Sequence, residues 1–208
     1  MAKHLKALLS VDQVTGFRRH FAIADDVHLS LVAESTVDME RTDESTIIFP
    51  PLSIAKGRVR FPLHPFLRVV LRHWGLIPSQ PNVNFYPIIM GIVELNRRLR
   101  TNLGIPAIRH CYALAKFTGR LGRYFLRAKD TDHHLVTMLA SSGKRVDNMM
   151  AVVRGNLEFG ECEDRLDPVP RRRGEPGGRI AHFHFFYYHI CIRLSIHVLT
   201  ILFIQAML

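Results

Sequence analysis

Seven arginines in the middle of the chain have the side-chain type and clustering that phosphate contacts need: Arg68 and Arg72 one helical turn apart, Arg97, Arg98 and Arg100 in one run, and Arg120 and Arg123 beside Gly119 and Gly122. Summed positive potential attracts nucleic acid or anionic lipid without reading sequence. The same pattern also fits a solvated basic face with no partner. For the Arg97–Arg100 run it further fits simple complementation of a helix C-terminus. Aromatic side chains for base stacking are few on these faces, so the pattern predicts weak, non-specific nucleic-acid binding, not sequence recognition.

Other chemistries find less support. Two-metal strand transfer needs carboxylates grouped around two cations. The basic region offers only Glu94 and Asp130, with Asp147 and Glu158 following, and no spacing groups them. The chain has no phosphate-binding loop, no G-x-S-x-G elbow, no H-E-x-x-H and no C-x-x-C pair. His133 and His134 beside Asp132 read as a polar turn. His182, His184 and His189 lack cysteine or carboxylate ligands at metal spacing, so no metal site is expected. Cys111, Cys162 and Cys191 are far apart, which argues against a disulfide scaffold and a zinc finger. The chain is expected to be non-enzymatic, with no catalytic residues, no cofactor and no small-molecule substrate.

The elements that must position the arginines are legible. Pro65 suits the first position of a helix in which Phe66, Val69, Val70 and Trp74 recur at helical spacing, with Arg68 and Arg72 on another face. Gly75 and Pro78 close it, and Trp74 is a core residue. Asn82 or Asn84 caps a second helix carrying Phe85, Ile88, Ile89, Ile92, Val93 and Leu99 inward. A third starts at Pro106 and carries Ile108, Cys111, Tyr112, Ala115 and Phe117 on one face. Ile47–Phe49, Arg123–Lys129 and Met149–Val153 read as strands, with a further piece at Asn156–Phe159. The fold expected is α+β, mainly helical: a small helical module followed by a short antiparallel sheet, plus a hydrophobic C-terminal helix.

The stretch RFPLHPFLRVVLRHWGLIPSQ, followed by PNVNFYPIIMGIVELN, resembles the plant gypsy-type transposase domain, also described as a plant transposon protein domain. Gly57-Arg58-Val59-Arg60-Phe61-Pro62-Leu63-His64 and Pro78-Ser79-Gln80-Pro81-Asn82 carry the likeness, with Ser142–Val146 and Gly155-Asn156-Leu157-Glu158-Phe159 in the places of later motifs. Val146 and Leu157 stand where that family has tryptophan. The likeness covers residues 47–160 and implies a retrotransposon origin without a defined reaction.

Charge and composition divide the chain. Residues 1–46 hold 5 basic and 8 acidic side chains and read as an acidic, partly flexible segment. Residues 47–130 hold 14 basic and 2 acidic, which accounts for the net charge of +10. Residues 161–179 are rich in proline, glycine and arginine and read as a linker. Residues 180–208 are apolar apart from Arg193 and histidines, and His184–Leu208 is long enough to span a bilayer. A central arginine costs about 2.5–3.5 kcal/mol on insertion scales, and more than a dozen apolar side chains offset it. If this tail inserts, Arg171, Arg172, Arg173 and Arg179 hold the N-terminal side in the cytoplasm. Otherwise the nucleus or cytoplasm is expected. Met1–Leu9 lacks the apolar core of a secretory signal, so none is expected. The reading is therefore a non-catalytic, transposon-derived plant protein that binds nucleic acid weakly. A tail-anchored membrane protein and a degenerate remnant without function are the alternatives.

Overall fold

A computed structural model describes residues 11–34, 45–117, 123–130, 134–137, 149–160 and 168–172. Among these residues lie five helices and five strands. The helices are α1 (Val11–His20), α2 (Pro51–Ala55), α3 (Pro65–His73), α4 (Phe85–Leu99) and α5 (Ile105–Cys111). The strands are β1 (Val27–Ala33), β2 (Thr46–Phe49), β3 (Tyr112–Lys116), β4 (Tyr124–Ala128) and β5 (Met149–Gly155).

This overturns the mainly helical arrangement with one trailing sheet. Two small antiparallel sheets, β1-β5-β2 and β3-β4, share the body with the helices. Strand β5 lies between two strands from the N-terminal part of the chain. Val27 stands opposite Gly155 and Ala33 opposite Met149 on one side, and Thr46 opposite Arg154 and Phe49 opposite Ala151 on the other. The misreading has a local cause. Val27, Leu29 and Leu31 alternate with His28 and Ser30, a period-2 pattern set inside an acidic segment whose composition resembles flexible chain. Pairing with β5 buries Val27 and Leu29. No apolar C-terminal helix occurs among the described residues. The tail at 180–208 lies outside them, and no helix within them is long and apolar enough to cross a membrane.

One apolar core joins helices and sheets. Phe49 of β2 packs edge-on to Phe61 at 5.7 Å between ring centroids and lies 5.9 Å from Tyr86; Tyr86 meets Phe85 at 5.6 Å, and Phe85 meets Trp74 at 6.1 Å. Such pairs contribute about 0.5–1.5 kcal/mol each beyond area burial. The Tyr86 hydroxyl donates to the Pro78 carbonyl from a fully buried position, and burial pushes that phenol far above its usual value. Gly57 makes the close approach possible. A Cβ there would lie 2.4 Å from the Ser53 carbonyl oxygen and 2.5 Å from the Tyr86 Cβ.

Helix α3 starts at Pro65, as its sequence predicts, and His64 caps it by accepting from the Phe66 amide through Nδ1 at 3.2 Å. The peptide bond before Pro62 is cis. The buried stripe of α3 is Leu67, Val70, Leu71 and Trp74, while Val69 is exposed. Val70 and Trp74 are buried as their spacing predicts, but Phe66 is only half-buried, and Leu67, Leu71 and Arg68 take the inward positions expected of Val69 and its neighbours. Gly75, at φ +61°, closes the helix, with the Leu76 amide donating back to the Leu71 carbonyl at 2.9 Å. Asn82 caps α4 from three residues upstream, its Oδ1 accepting from the Phe85 amide at 3.0 Å; Asn84 makes no side-chain cap bond. Helix α5 ends at Cys111, and Tyr112 already opens β3, so the face expected to run on to Ala115 and Phe117 is cut short, and Phe117 stands exposed. Asn156–Phe159 forms no strand.

The loop of Ile77–Asn82 docks the β3-β4 hairpin. The Tyr124 amide donates to the Gln80 carbonyl at 3.0 Å, and the Asn82 amide to the Tyr124 carbonyl at 2.8 Å. At the other end of the chain, Val169 is buried and its amide donates to Glu158 Oε1 at 2.8 Å. The body therefore reaches from α1 through residue 172, and includes part of the stretch read as linker.

Candidate nucleic-acid interface

Of the seven arginines singled out by sequence, one is buried and a second is half-buried and tied down. Arg68 is buried, and its guanidinium lies 4.3 Å from the centre of the Phe159 ring. Burial pushes it below the ordinary arginine value, and the Glu158 charge pulls it back up. Glu158 is itself buried; besides accepting from Val169 it faces Arg171 at 3.2 Å. Arg123 donates to the Ser79 carbonyl at 2.6 Å and to Glu34 at 2.8 Å, which locks β4 to the docking loop and to the end of β1. A cation withdrawn from water has to be paired or stacked: the buried Arg68 is stacked and the half-buried Arg123 is paired.

The remaining arginines fall into separate groups. Arg97 and Arg98 are exposed at the end of α4 and share Glu94, at 2.7 Å and 2.5 Å. Three hydrogen bonds from these two arginines hold the Glu94 carboxyl down at about 2. Arg100, at φ +52°, ends the helix in the left-handed region and is exposed. Arg72 is exposed in the last turn of α3. Because Trp74 packs on Phe85 at the start of α4, Arg72 and the Arg97–Arg100 group lie at opposite ends of a helix about 20 Å long. Arg109 of α5 acts electrostatically on His73, whose imidazole is pushed below its usual value first by burial and then by that charge. Arg120 lies outside the described residues. The six described arginines thus form no single patch.

A further surface escaped the sequence reading. The β3-β4 register places Ala115 opposite Phe125 and Ala113 opposite Arg127. Tyr112, Tyr124 and Leu126, on the other face, are buried. Phe117, just past β3, is 46% exposed, and its ring meets Phe125 at 5.6 Å. Arg127 and Lys129 are exposed on the same strand and its extension. Alternation in YFLRA was the available signal, but it could not tell which face the body would cover.

Among the described residues, the carboxylates weighed for metal chemistry form no cluster. Glu94 is engaged on the α4 surface, Glu158 is buried with Val169 and Arg171, and Asp147 lies outside the described residues. Among the described residues no group of three histidines, cysteines or carboxylates is placed to hold a metal. His133, His182, His184 and His189 lie outside them, as do Cys162 and Cys191, while Cys111 is buried and in no disulfide among the described residues. No protein-family model, no curated protein and no solved structure matches this chain.

Proposed function

We propose that this chain is a non-catalytic, mobile-element-derived module whose basic surface holds nucleic acid weakly and without sequence preference. The supporting observation is what remains of the cationic middle segment once the structural arginines are subtracted. Residues 47–130 carry 14 basic side chains against 2 acidic ones. Arg68 is buried, Arg123 is half-buried and tied down, and Arg60 bonds to the Ile54 and Val59 carbonyls, yet Arg72, Arg97, Arg98, Arg100, Arg127 and Lys129 stay exposed. Cations spread over two ends of a helix suit a flexible polyanion better than a compact ligand, because each phosphate contact releases counterions independently.

The origin in a mobile element rests on the resemblance over 47–160. Its separated motif blocks lie against each other: the Leu63 amide donates to the Leu157 carbonyl at 2.7 Å, and Arg68 stacks on Phe159. A salt titration of the whole chain against duplex and single-stranded DNA tests the binding. The expected result is micromolar or weaker affinity with a steep negative salt slope. No binding at low salt, or a slope near zero, overturns it.

A further inference from the structure

We propose that the outward face of the β3-β4 hairpin is a stacking platform for single-stranded nucleic acid, with Phe117 and Phe125 receiving bases and Arg127 and Lys129 the adjoining phosphates. This rests on the nucleic-acid reading above and narrows its ligand to unpaired strands.

The argument starts from the register. Residues directly opposite in the ladder share a face, so Ala113, Ala115 and Phe117 lie on one face with Phe125, Arg127 and, at its edge, Arg123, which is taken up by Glu34 and the Ser79 carbonyl. Lys129 continues that parity, its amide donating to the Cys111 carbonyl at 2.9 Å. The cross-strand partners of Phe125 and Arg127 are alanines, so no bulky side chain screens them from across the ladder. The opposite face is fixed to the body: Tyr112, Tyr124 and Leu126 are buried, and the Tyr112 hydroxyl accepts from the Leu135 and Val136 amides at 3.1 Å each. The platform is therefore rigid, which reduces the ordering cost of binding.

The composition of the face is unusual for a solvated surface. Phe117 is one of two large apolar side chains, with Val69, that stand exposed among the described residues. Its contact with Phe125 is edge-on, at 70° between ring planes. Arg127 and Lys129 join no ion pair among the described residues. Aromatic rings flanked by uncommitted cations are complementary to a strand that offers both a π-face and a phosphate at each step. A duplex covers the faces of its bases, so the rings would gain nothing from it.

Fluorescence anisotropy with the full chain and a labelled oligothymidylate of about a dozen nucleotides, beside a duplex of equal length, reads this directly. Tighter binding of the single strand is expected. Phe117→Ala and Phe117→Leu should each weaken it about tenfold, with the salt slope unchanged, because leucine keeps the apolar bulk but has no ring to stack on. Arg127→Ala should lower the salt slope by about one. Phe125→Ala is read only beside its thermal melt, since that ring is partly buried; the exposed Phe117 variants decide the question without it. Equal affinity for duplex, or wild-type affinity in Phe117→Leu, overturns the platform while leaving the broader nucleic-acid reading intact. No binding of either strand form at low salt overturns both.

Discussion

The Arg68 guanidinium lies 4.3 Å from the centre of the Phe159 ring, joining the first helix of the proline-rich motif to the segment that follows β5. Glu158 acts on the same cation electrostatically, so a residue that reads as a surface phosphate ligand is an internal tie. Arg68→Ala empties a buried site and removes the stack on Phe159, while Glu158 keeps Arg171, so it is expected to destabilise the fold by about 2–3 kcal/mol. Urea denaturation measures the loss. The salt slope of nucleic-acid binding should not change; a slope reduced by one with stability intact would place Arg68 at the interface instead.

Gly57 leaves room for neither Cβ nor compromise. The Ser53 carbonyl and the Tyr86 backbone-proximal carbon both stand within 2.5 Å of where a methyl would go. Gly57→Ala therefore separates α2 from α4 and should cost about 1–3 kcal/mol. A thermal melt within a degree of wild type would show that these elements shift apart freely.

Glu94 restrains two of the exposed arginines. Its carboxyl is held at about 2 against an ordinary 4.5, so it is ionised across the whole neutral range and imposes no pH dependence there. Glu94→Gln releases Arg97 and Arg98 and removes one negative charge. Nucleic-acid affinity should rise several-fold at low salt and converge with wild type at high salt. Unchanged affinity at low salt would exclude the α4 terminus from the binding surface. Stability should change little, because the pair is exposed to solvent.

His64 caps α3 through a nitrogen that must be unprotonated to accept a hydrogen bond. Burial first, and then the Arg68 charge, push its imidazole below the usual 6.5. A depressed histidine value means the unfolded chain binds the proton more readily. Its contribution is therefore present above pH 6.5 and declines as pH falls through the folded value. His73 is depressed in the same direction and adds to the slope. Urea midpoints followed from pH 7.5 down to about pH 5 should fall, and His64→Asn, which keeps a capping acceptor, should flatten part of that fall. An identical slope in the variant would remove His64 as the cause.

Truncation tests the extent of the body. A fragment starting at residue 47 lacks β1 and the buried Phe17, Ile23, Val27 and Leu29. It leaves β5 with an open edge where β1 had paired, and is expected to lose cooperative melting that residues 11–172 retain. Circular dichroism of the two fragments reads the difference; equal cooperativity would confine the core to the motif region.

Local patterning was enough for the elements that announce themselves. Pro65 opening α3, Gly75 closing it, the inward run Phe85, Ile88, Ile89 and Ile92, and strands β2, β4 and β5 all follow from neighbours a few residues apart. Trp74 as a core residue followed from its bulk alone. The tertiary structure decided what depends on partners far along the chain. Strand β1 is a strand because β5, more than a hundred residues later, completes its ladder. Arg68 and Arg123 look like surface cations in sequence because charge predicts exposure unless a ring or carboxylate is waiting inside. Phe159, Glu158 and Glu34 are too distant in sequence to be matched to them. The face carrying Phe117 and Phe125 was equally hidden, since alternation fixes that a strand has two faces, and only packing chooses which one meets water.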